Sequence, residues 1–292
     1  MSSNRLKMPS YGGQALIEGV LMRGKSNLAV AMRAPDNKVV IQVEKLEGIY
    51  KNNIFRLPFI RGLIVLWDNL AIGMKYLTIS ANLQSKEEEK IEGSSLYVTV
   101  IFSLLLAIGV FFLIPMLIAN FLSELIIISS IAVNIIEGLI RLLFMILYLW
   151  AVSSIKDINR IFSYHGAEHK TINAYEDNAE LEVNSVMKYP VEHPRCGTSF
   201  LLTLIVMSIV FFALLGDIPI VYKLLSRMLM IPILAMLSYE LIHWMGNHLD
   251  HPLIRFLSKP NLLLQKLTTR EPTIDMVEVA ILAFKSLQKL EN

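Results

Sequence analysis

Residues 96–120 (LYVTVIFSLLLAIGVFFLIPMLIAN) and 131–153 (IAVNIIEGLIRLLFMILYLWAVS) decide the fold. Each run is long enough to cross a bilayer as a helix, which takes about 20 apolar residues. A second apolar block, interrupted by charged residues, predicts two more spans near 198–219 and 227–246. The sequence therefore predicts a mainly α-helical membrane protein with four transmembrane helices.

The composition agrees with a membrane protein. Of the 292 residues, 54% are hydrophobic and only 18% are charged, against about 25% charged in soluble domains. This composition excludes disorder, a collagen and a coiled-coil rod. A net charge of +2 is too small, and too evenly spread, to indicate a nucleic-acid partner, and the single cysteine, Cys196, cannot form an internal disulfide. Residues 1–13 lack the apolar run expected of a signal peptide.

The basic residues predict the orientation in the membrane. Of the 27 Lys and Arg, 24 lie before the first span, in the central loop 153–197 or after residue 246. Because cytoplasmic segments carry the excess of Lys and Arg, both termini and the central loop are predicted to lie in the cytoplasm. We therefore expect a multi-pass protein of the cell (cytoplasmic) membrane.

These assignments divide the chain into four parts. They are a cytoplasmic N-terminal domain (1–53), an amphipathic interfacial or re-entrant helix with a charged linker (54–93), a four-helix transmembrane domain whose cytoplasmic loop 154–197 carries a histidine motif (94–246), and a cytoplasmic helical tail (247–292). Alternating apolar and polar residues over 28–45 predict a β-hairpin, so the N-terminal domain is expected to be partly β.

Two further helices are predicted from their charge and apolar patterns. Within residues 54–79, Arg61, Asp68 and Lys75 recur every seventh position and would form one polar stripe. The stripe indicates either a helix in the membrane interface with its charges toward water, or a re-entrant helix with its charges toward a polar cavity. Residues 272–290 are amphipathic. Their apolar face consists of Val277, Ala280, Ile281, Phe284 and Leu287.

The string YHGAEHK at residues 164–170 is the strongest functional signal. On a helix, His165 and His169 lie one turn apart on one face, where two imidazoles can bind one metal ion, and Glu176 follows on the same side. The string fits His-x-x-Glu-His, the pattern of inverted zinc peptidases, in which the intervening Glu, here Glu168, acts as the general base. The alternative is that both histidines are hydrogen-bonded core residues beneath the membrane.

Other polar residues offer further ligands. The segment EHPRCGTS at 192–199 contains His193 and Cys196, which suit a third metal ligand or a pair of nucleophile and base. The same segment also fits a structural turn at a helix start. Glu240 is an ionisable residue within a span and is therefore a functional candidate.

Two more groups lie outside these motifs. Within the second span, Glu137 and Arg141 are four residues apart and can pair along the helix, as a structural pair, as part of a polar pathway, or as a lipid-headgroup anchor. The glycine-rich stretch 12–24 matches neither a phosphate loop nor a dinucleotide fingerprint. Its glycines are expected to permit tight turns or close backbone contacts, and its Glu18 and Arg23 could reach the central site.

Seven strings resemble the YqhQ-like family of bacterial multi-pass membrane proteins, a domain of unknown function labelled a predicted metal-dependent enzyme. The strings are GGQALIEGVLMRG (12–24), PFIRG (58–62), EGLIR (137–141), YHGAEHKTINAYE (164–176), HPRCGTSF (193–200), SYE (238–240) and TTREP (268–272). The resemblance runs over nearly the whole chain. It marks as motif positions His165, Glu168, His169, Glu176, His193, Cys196 and Glu240. The histidines outside these motifs, which are discounted as ligands, are His243, His248 and His251.

The sequence thus predicts a metal-dependent membrane enzyme, a hydrolase, that acts at the cytoplasmic membrane face. His165 and His169 would bind a divalent metal, with zinc favoured, and Glu168 would take a proton from a water molecule that the metal activates. The third ligand stays open among Glu176, Glu240, His193 and Cys196. The expected partners are membrane lipids and a lipid-linked or membrane-near substrate. The alternative is a non-enzymatic transporter or channel formed by a homo-oligomer, or a scaffold, with a structural metal or none.

Overall fold

The computed structural model describes residues 11–46, 57–85, 94–126, 128–216 and 218–291. The N-terminal residues 1–10, the start of the predicted helix 54–79 and most of the predicted linker lie outside the described residues. The chain is a mainly α-helical membrane protein with a small N-terminal antiparallel sheet, as the sequence predicts.

The four strands form a meander in which each strand pairs antiparallel with the next. They are β1 (Gly12–Leu16), β2 (Gly19–Arg23), β3 (Asn27–Arg33) and β4 (Val39–Lys45). The predicted hairpin is confirmed, because β3 and β4 pair along their whole length, from Asn27 opposite Lys45 to Arg33 opposite Val39. Asn37 closes the turn with a φ of 65°, a left-handed conformation that asparagine tolerates better than most residues.

Both faces of the sheet are covered, which explains why β3 is apolar along its whole length. Successive side chains of a strand point to opposite faces. On one face the alanines of β3 pack with helix α10 (Ile274–Glu291). On the other face its larger side chains pack with Tyr76 of helix α1 (Ile60–Gln84). The predicted helix 272–290 is therefore confirmed as α10, and all five residues of its predicted apolar face are buried.

Helix α1 carries the predicted charge stripe, and every charge of the stripe contacts another part of the protein. The contacts are Arg61 with Glu240, Asp68 with Arg23, and Lys75 with Glu44. Two of these partners belong to the sheet, and the third belongs to the last long apolar helix. Each charge of the stripe therefore has a partner on another part of the chain, and the side chains of Lys75 and Glu44 are also 51% and 43% exposed.

Among the described residues, four helices are long and apolar enough to cross a membrane. They are α1, the segment Val98–Leu125, α4 (Ser130–Ser153) and Val221–Asn247 of α8 (Ile220–Asn247). The second of these combines α2 (Ser94–Ile108), a π-helical turn (Gly109–Leu113) and α3 (Ile114–Leu125). The number of four agrees with the prediction, but the set differs. The predicted span 198–219 is helix α7 (Gly197–Ala213), which has 17 residues and is shorter than the other four.

Helix α8 begins earlier than predicted. The charges of Lys223 and Arg227 indicate a loop in the sequence, yet both side chains are buried. Lys223 donates to Asn120, and Arg227 pairs with Glu137. Charges that find such partners are tolerated within a membrane helix, so the predicted start at residue 227 is late by about two turns.

Helix α5 (Lys156–Glu176) connects the membrane helices to the sheet. It follows α4 after two residues and packs on β1, β2 and α10. The remaining helices are α6 (Val183–Val186) and α9 (Pro252–Gln265), and α9 packs on α7. The histidine motif therefore lies where the apolar bundle meets the sheet unit.

Gly166 allows the segment after α9 to approach α5 closely. The backbone N–H of Arg270 donates to the carbonyl of Phe162 at 3.0 Å, and a Cβ on Gly166 would collide with the carbonyl oxygen of Arg270. We expect Gly166→Ala to lower the free energy of unfolding by about 1–3 kcal/mol, because a backbone atom cannot move aside as a side chain can.

Unfolding in detergent by a denaturant titration measures this loss. The control is Gly197→Ala at the start of α7, where a Cβ meets open space. An equal loss in both variants would contradict the close approach at Gly166.

Candidate metal centre

Helix α5 presents two imidazoles to one point. His165 and His169 are one turn apart, and their ring centroids lie 4.3 Å from each other. His169 is buried and His165 is partly buried. The arrangement follows from the i, i+4 spacing on a helix, so the sequence pattern is sufficient to bring these two side chains together.

Cys196 completes the cluster from the other side. It precedes α7, and its sulfur accepts a hydrogen bond from the backbone N–H of Thr198, which caps that helix. The same Sγ lies 3.3 Å from Nε2 of His165. One ligand atom from each of His165, His169 and Cys196 lies within 4.8 Å of the other two.

Backbone carbonyls fix the orientation of both imidazoles. Nδ1 of His165 lies 2.8 Å from the carbonyl oxygen of Thr268, and Nδ1 of His169 lies 2.6 Å from that of Val191. A carbonyl oxygen only accepts, so each Nδ1 carries the proton and each Nε2 is left with its lone pair. This is the arrangement that orients histidines as metal ligands.

Glu168 is buried beside the cluster with one oxygen unpaired. Its carboxylate accepts a hydrogen bond from the backbone N–H of Gly13 on β1, while Oε2 has no hydrogen-bond partner among the described residues. Burial raises the pKa of the carboxyl to about 8, and His165 opposes the shift only in part. The approach of β1 requires Gly13, because a Cβ there would lie 2.9 Å from the Glu168 side chain.

Burial and proximity also set the protonation of the candidate ligands. Burial lowers the pKa of His169, which keeps its imidazole neutral. For Cys196, burial opposes ionisation, but the positive charge of His169 when it is protonated and the hydrogen bonds with Thr198 outweigh burial, so the pKa of the thiol is lowered. A neutral imidazole and an acidic thiol are the states that bind a metal ion.

Glu176 and His193 form a neighbouring cluster. Glu176 pairs with Arg195 and lies 3.4 Å from Nε2 of His193. Burial lowers the pKa of His193 to about 4, so this contact joins a carboxylate to a neutral imidazole. The His193 ring centroid lies 5.7 Å from that of His169. Both residues therefore flank the cluster, and Cys196 is the candidate third ligand that lies within it.

The other predicted site residues lie elsewhere. Glu240 accepts hydrogen bonds from Arg61 and from the backbone of Phe59. Glu18 pairs with Arg160 and accepts from the hydroxyl of Tyr164 at 3.1 Å. Arg23 pairs with Asp68. These three residues join α1, α5, α8 and the sheet to one another.

The sequence does not predict the role of two residues that support the cluster, Gln265 and Thr268. The buried amide of Gln265 accepts from the backbone N–H of His193 at 2.8 Å and donates to Ser199 at 2.9 Å, which holds the turn before α7 against α9. Thr268 supplies the carbonyl that orients His165. The string TTREP begins at Thr268 and is the only sequence signal for either residue.

The predicted polar pair has a third member. Glu137 accepts from Arg141 at 2.6 Å, as expected for positions four apart, and also from Arg227 of α8 at 2.8 Å. All three side chains are almost fully buried. This triad lies in the apolar bundle and is separate from the histidine cluster.

The fold and the cluster define a helical membrane protein with a largely buried His-His-Cys group where its apolar bundle meets the sheet unit. The chain belongs to the family described as a protein of unknown function, DUF1385, whose profile matches residues 57–290. It is 32% identical to the uncharacterized protein YqhQ of Bacillus subtilis (strain 168), over 97% of this chain and 93% of that protein. No solved structure matches the chain.

Proposed function

We propose that this protein is a metal-dependent membrane enzyme, a hydrolase, whose metal is held by His165, His169 and Cys196. One observation carries the proposal: three ligand atoms converge within 4.8 Å, and both imidazoles are held at Nδ1 by carbonyls, which leaves the lone pair on Nε2.

The ligand set favours zinc. Two imidazoles and one thiolate are typical zinc ligands, and three protein ligands with an open fourth position are typical of catalytic rather than structural zinc sites. When bound, such a metal supplies a Lewis acid that makes water acidic enough to be a nucleophile near neutral pH.

Glu168 is the proposed general base. Without a nearby cation its pKa of about 8 keeps the carboxyl protonated at neutral pH. A cation held beside it favours the carboxylate, whose unpaired Oε2 can then take a proton from water. The general base is thereby coupled to the presence of the metal.

The proposed site faces the cytoplasm and a membrane-near substrate. We assign α1 to the membrane interface, because Tyr76 on one side packs in the sheet core while Trp67 on another is exposed. With α1 outside, the spans are Val98–Leu125, α4, α7 and α8, and an even number brings both termini to one side. The distribution of Lys and Arg supports the cytoplasm as that side.

Substitution of cobalt(II) for the native metal tests the proposed ligands and the open position. We expect the cobalt protein to show a thiolate-to-cobalt charge-transfer band that Cys196→Ala abolishes, and visible bands that shift when azide is added, because azide can occupy an open position. His243→Ala, outside the cluster, should leave both features unchanged.

Two results would count against the proposal. A band that persists in Cys196→Ala excludes the thiol as a ligand. Visible bands that do not shift when azide is added indicate a closed, structural site and favour the alternative of a transporter or scaffold.

A further inference from the structure

The buried triad Glu137, Arg141 and Arg227 carries more positive than negative charge. The exposed fractions of the three residues are 2%, 2% and 1%. Besides Glu137, Arg141 donates to Ser208 and to the carbonyl of Phe111, and Arg227 donates to Asn134. All of these further acceptors are neutral, so the triad of two guanidinium groups and one carboxylate keeps a net charge of +1 within an apolar bundle. An unbalanced charge at such depth is costly.

Pro115 explains why the carbonyl of Phe111, in the π-helical turn, is available to Arg141. The carbonyl of Phe111 would normally accept from the backbone nitrogen four residues later, but proline has no N–H. The helix bypasses the gap with a bond from Ile114 to Gly109, and the free carbonyl accepts from Arg141 at 2.9 Å. The π-helical turn thus positions this guanidinium group and adds no negative charge.

Asn134 adds an unpaired donor to the same cluster. Its Oδ1 accepts from Arg227 at 2.9 Å, which fixes the orientation of the amide. The Nδ2 group has no acceptor among the described residues. The whole residue is only 2% exposed, so solvent does not supply an acceptor either. One turn before Arg227, Lys223 donates to Asn120, whose Nδ2 is likewise buried without an acceptor in the described chain. A buried donor without an acceptor also destabilises the fold, although by less than an unpaired buried charge does.

Long side chains rather than close helix packing join α4 to α8, and the ring of Phe212 on α7 lies over both guanidinium groups. Helices α4 and α8 both pack on α7 but hardly on each other. Glu137 is the eighth residue of α4 and Arg227 the eighth of α8, which puts both about 10 Å from the start of their helices. The other end of α4 leads into α5. The cluster therefore lies toward the membrane side opposite the candidate metal centre.

We propose that Arg141, Arg227 and Asn134 form a binding site for a phosphate group, supplied by a phospholipid headgroup or by free phosphate. A phosphate neutralises the excess charge. Its several oxygens can accept hydrogen bonds from the unused guanidinium N–H groups and from the unpaired amide of Asn134 at the same time. A cation is repelled by the net charge, and a neutral ligand leaves that charge uncompensated. The site differs from the proposed metal centre in place, charge and ligand.

The test uses the full chain purified in detergent with its phospholipids removed. Native mass spectrometry measures the binding of phosphatidylglycerol, and thermal melting at constant ionic strength measures stabilisation by inorganic phosphate. Asn134→Asp places a carboxylate where the phosphate would bind, so the affinity should fall by at least about tenfold. Asn247→Asp, the same exchange at an exposed position at the far end of α8, should bind as the native chain does.

A second variant keeps the test valid if Asn134→Asp does not fold. Asn134→Ala removes the donor without adding charge and should weaken binding by about two- to tenfold. Strong binding of phosphatidylglycerol over inorganic phosphate supports a lipid headgroup as the source, and comparable binding of inorganic phosphate supports the free anion. Binding of neither probe, or native affinity in the folded Asn134 variants, overturns the proposal.

Discussion

Glu137→Gln is expected to lower the free energy of unfolding by about 3–5 kcal/mol, because it leaves two buried arginines without a counter-charge. In the native chain Glu137 contacts Arg141 at 2.6 Å and Arg227 at 2.8 Å. Gln keeps the size and one acceptor of the side chain but removes its charge. A denaturant titration in phospholipid-free detergent, followed by far-UV circular dichroism, measures the loss.

Glu240→Gln is the matched control. Glu240 also contacts an arginine, Arg61, but the two side chains are 17% and 32% exposed. Water shares in their solvation, so the loss should stay within about 1 kcal/mol. Equal losses in the two variants would show that burial does not govern these ion pairs, contrary to the structure.

Glu168→Gln is expected to lower the hydrolytic rate by about 10²- to 10⁴-fold, the usual contribution of a general base, while the protein keeps its metal. Gln fills the same buried space beside Gly13 but cannot take a proton. The rate is measured on chromogenic esters and phosphodiesters that the native protein hydrolyses, and the metal content is measured on the same preparations.

The control for this variant is Glu176→Gln. Glu176 pairs with Arg195 and flanks the cluster without belonging to it. Its loss should change the rate far less than the loss of Glu168 does. A native rate in Glu168→Gln would contradict the assigned base, and a loss of metal would make Glu168 a ligand.

The local patterns of the sequence predict much of this fold. The hairpin between β3 and β4, the apolar face of α10 and the long apolar runs all follow from periodicity within one element. Helix α8 shows where this reasoning fails. The charges of Lys223 and Arg227 indicate a loop until their partners Asn120 and Glu137 are known, and those partners are 103 and 90 residues away.

In the candidate site, too, one part is predictable from the sequence and another is not. The i, i+4 spacing places His165 and His169 together within a single helix, so the pair is predictable from sequence. The third position is not predictable, because Cys196 approaches from a turn that Gln265 of α9 holds in place. Among the four open candidates, only the tertiary packing distinguishes Cys196 from Glu176, His193 and Glu240.

Helix α1 shows a third limit of prediction from sequence. Its charges at Arg61, Asp68 and Lys75 are spaced as for a surface in contact with water. Each charge also meets a partner on the sheet or on α8, while the Lys75 side chain stays 51% exposed. A stripe of charges reports that one face is polar, and it carries no information on whether water or protein covers that face.

The metal content of the purified protein tests the central claim most directly. Elemental analysis by mass spectrometry compares three detergent-purified chains: the native chain, the double variant His165→Ala with His169→Ala, and the control His248→Ala with His251→Ala, whose histidines are exposed and outside the cluster. We expect one metal ion per chain in the native chain and in the control, and none in the first double variant. The His and Cys ligands favour zinc as that ion. A native chain purified without chelators that holds no metal, or a first double variant that retains it, would contradict the account.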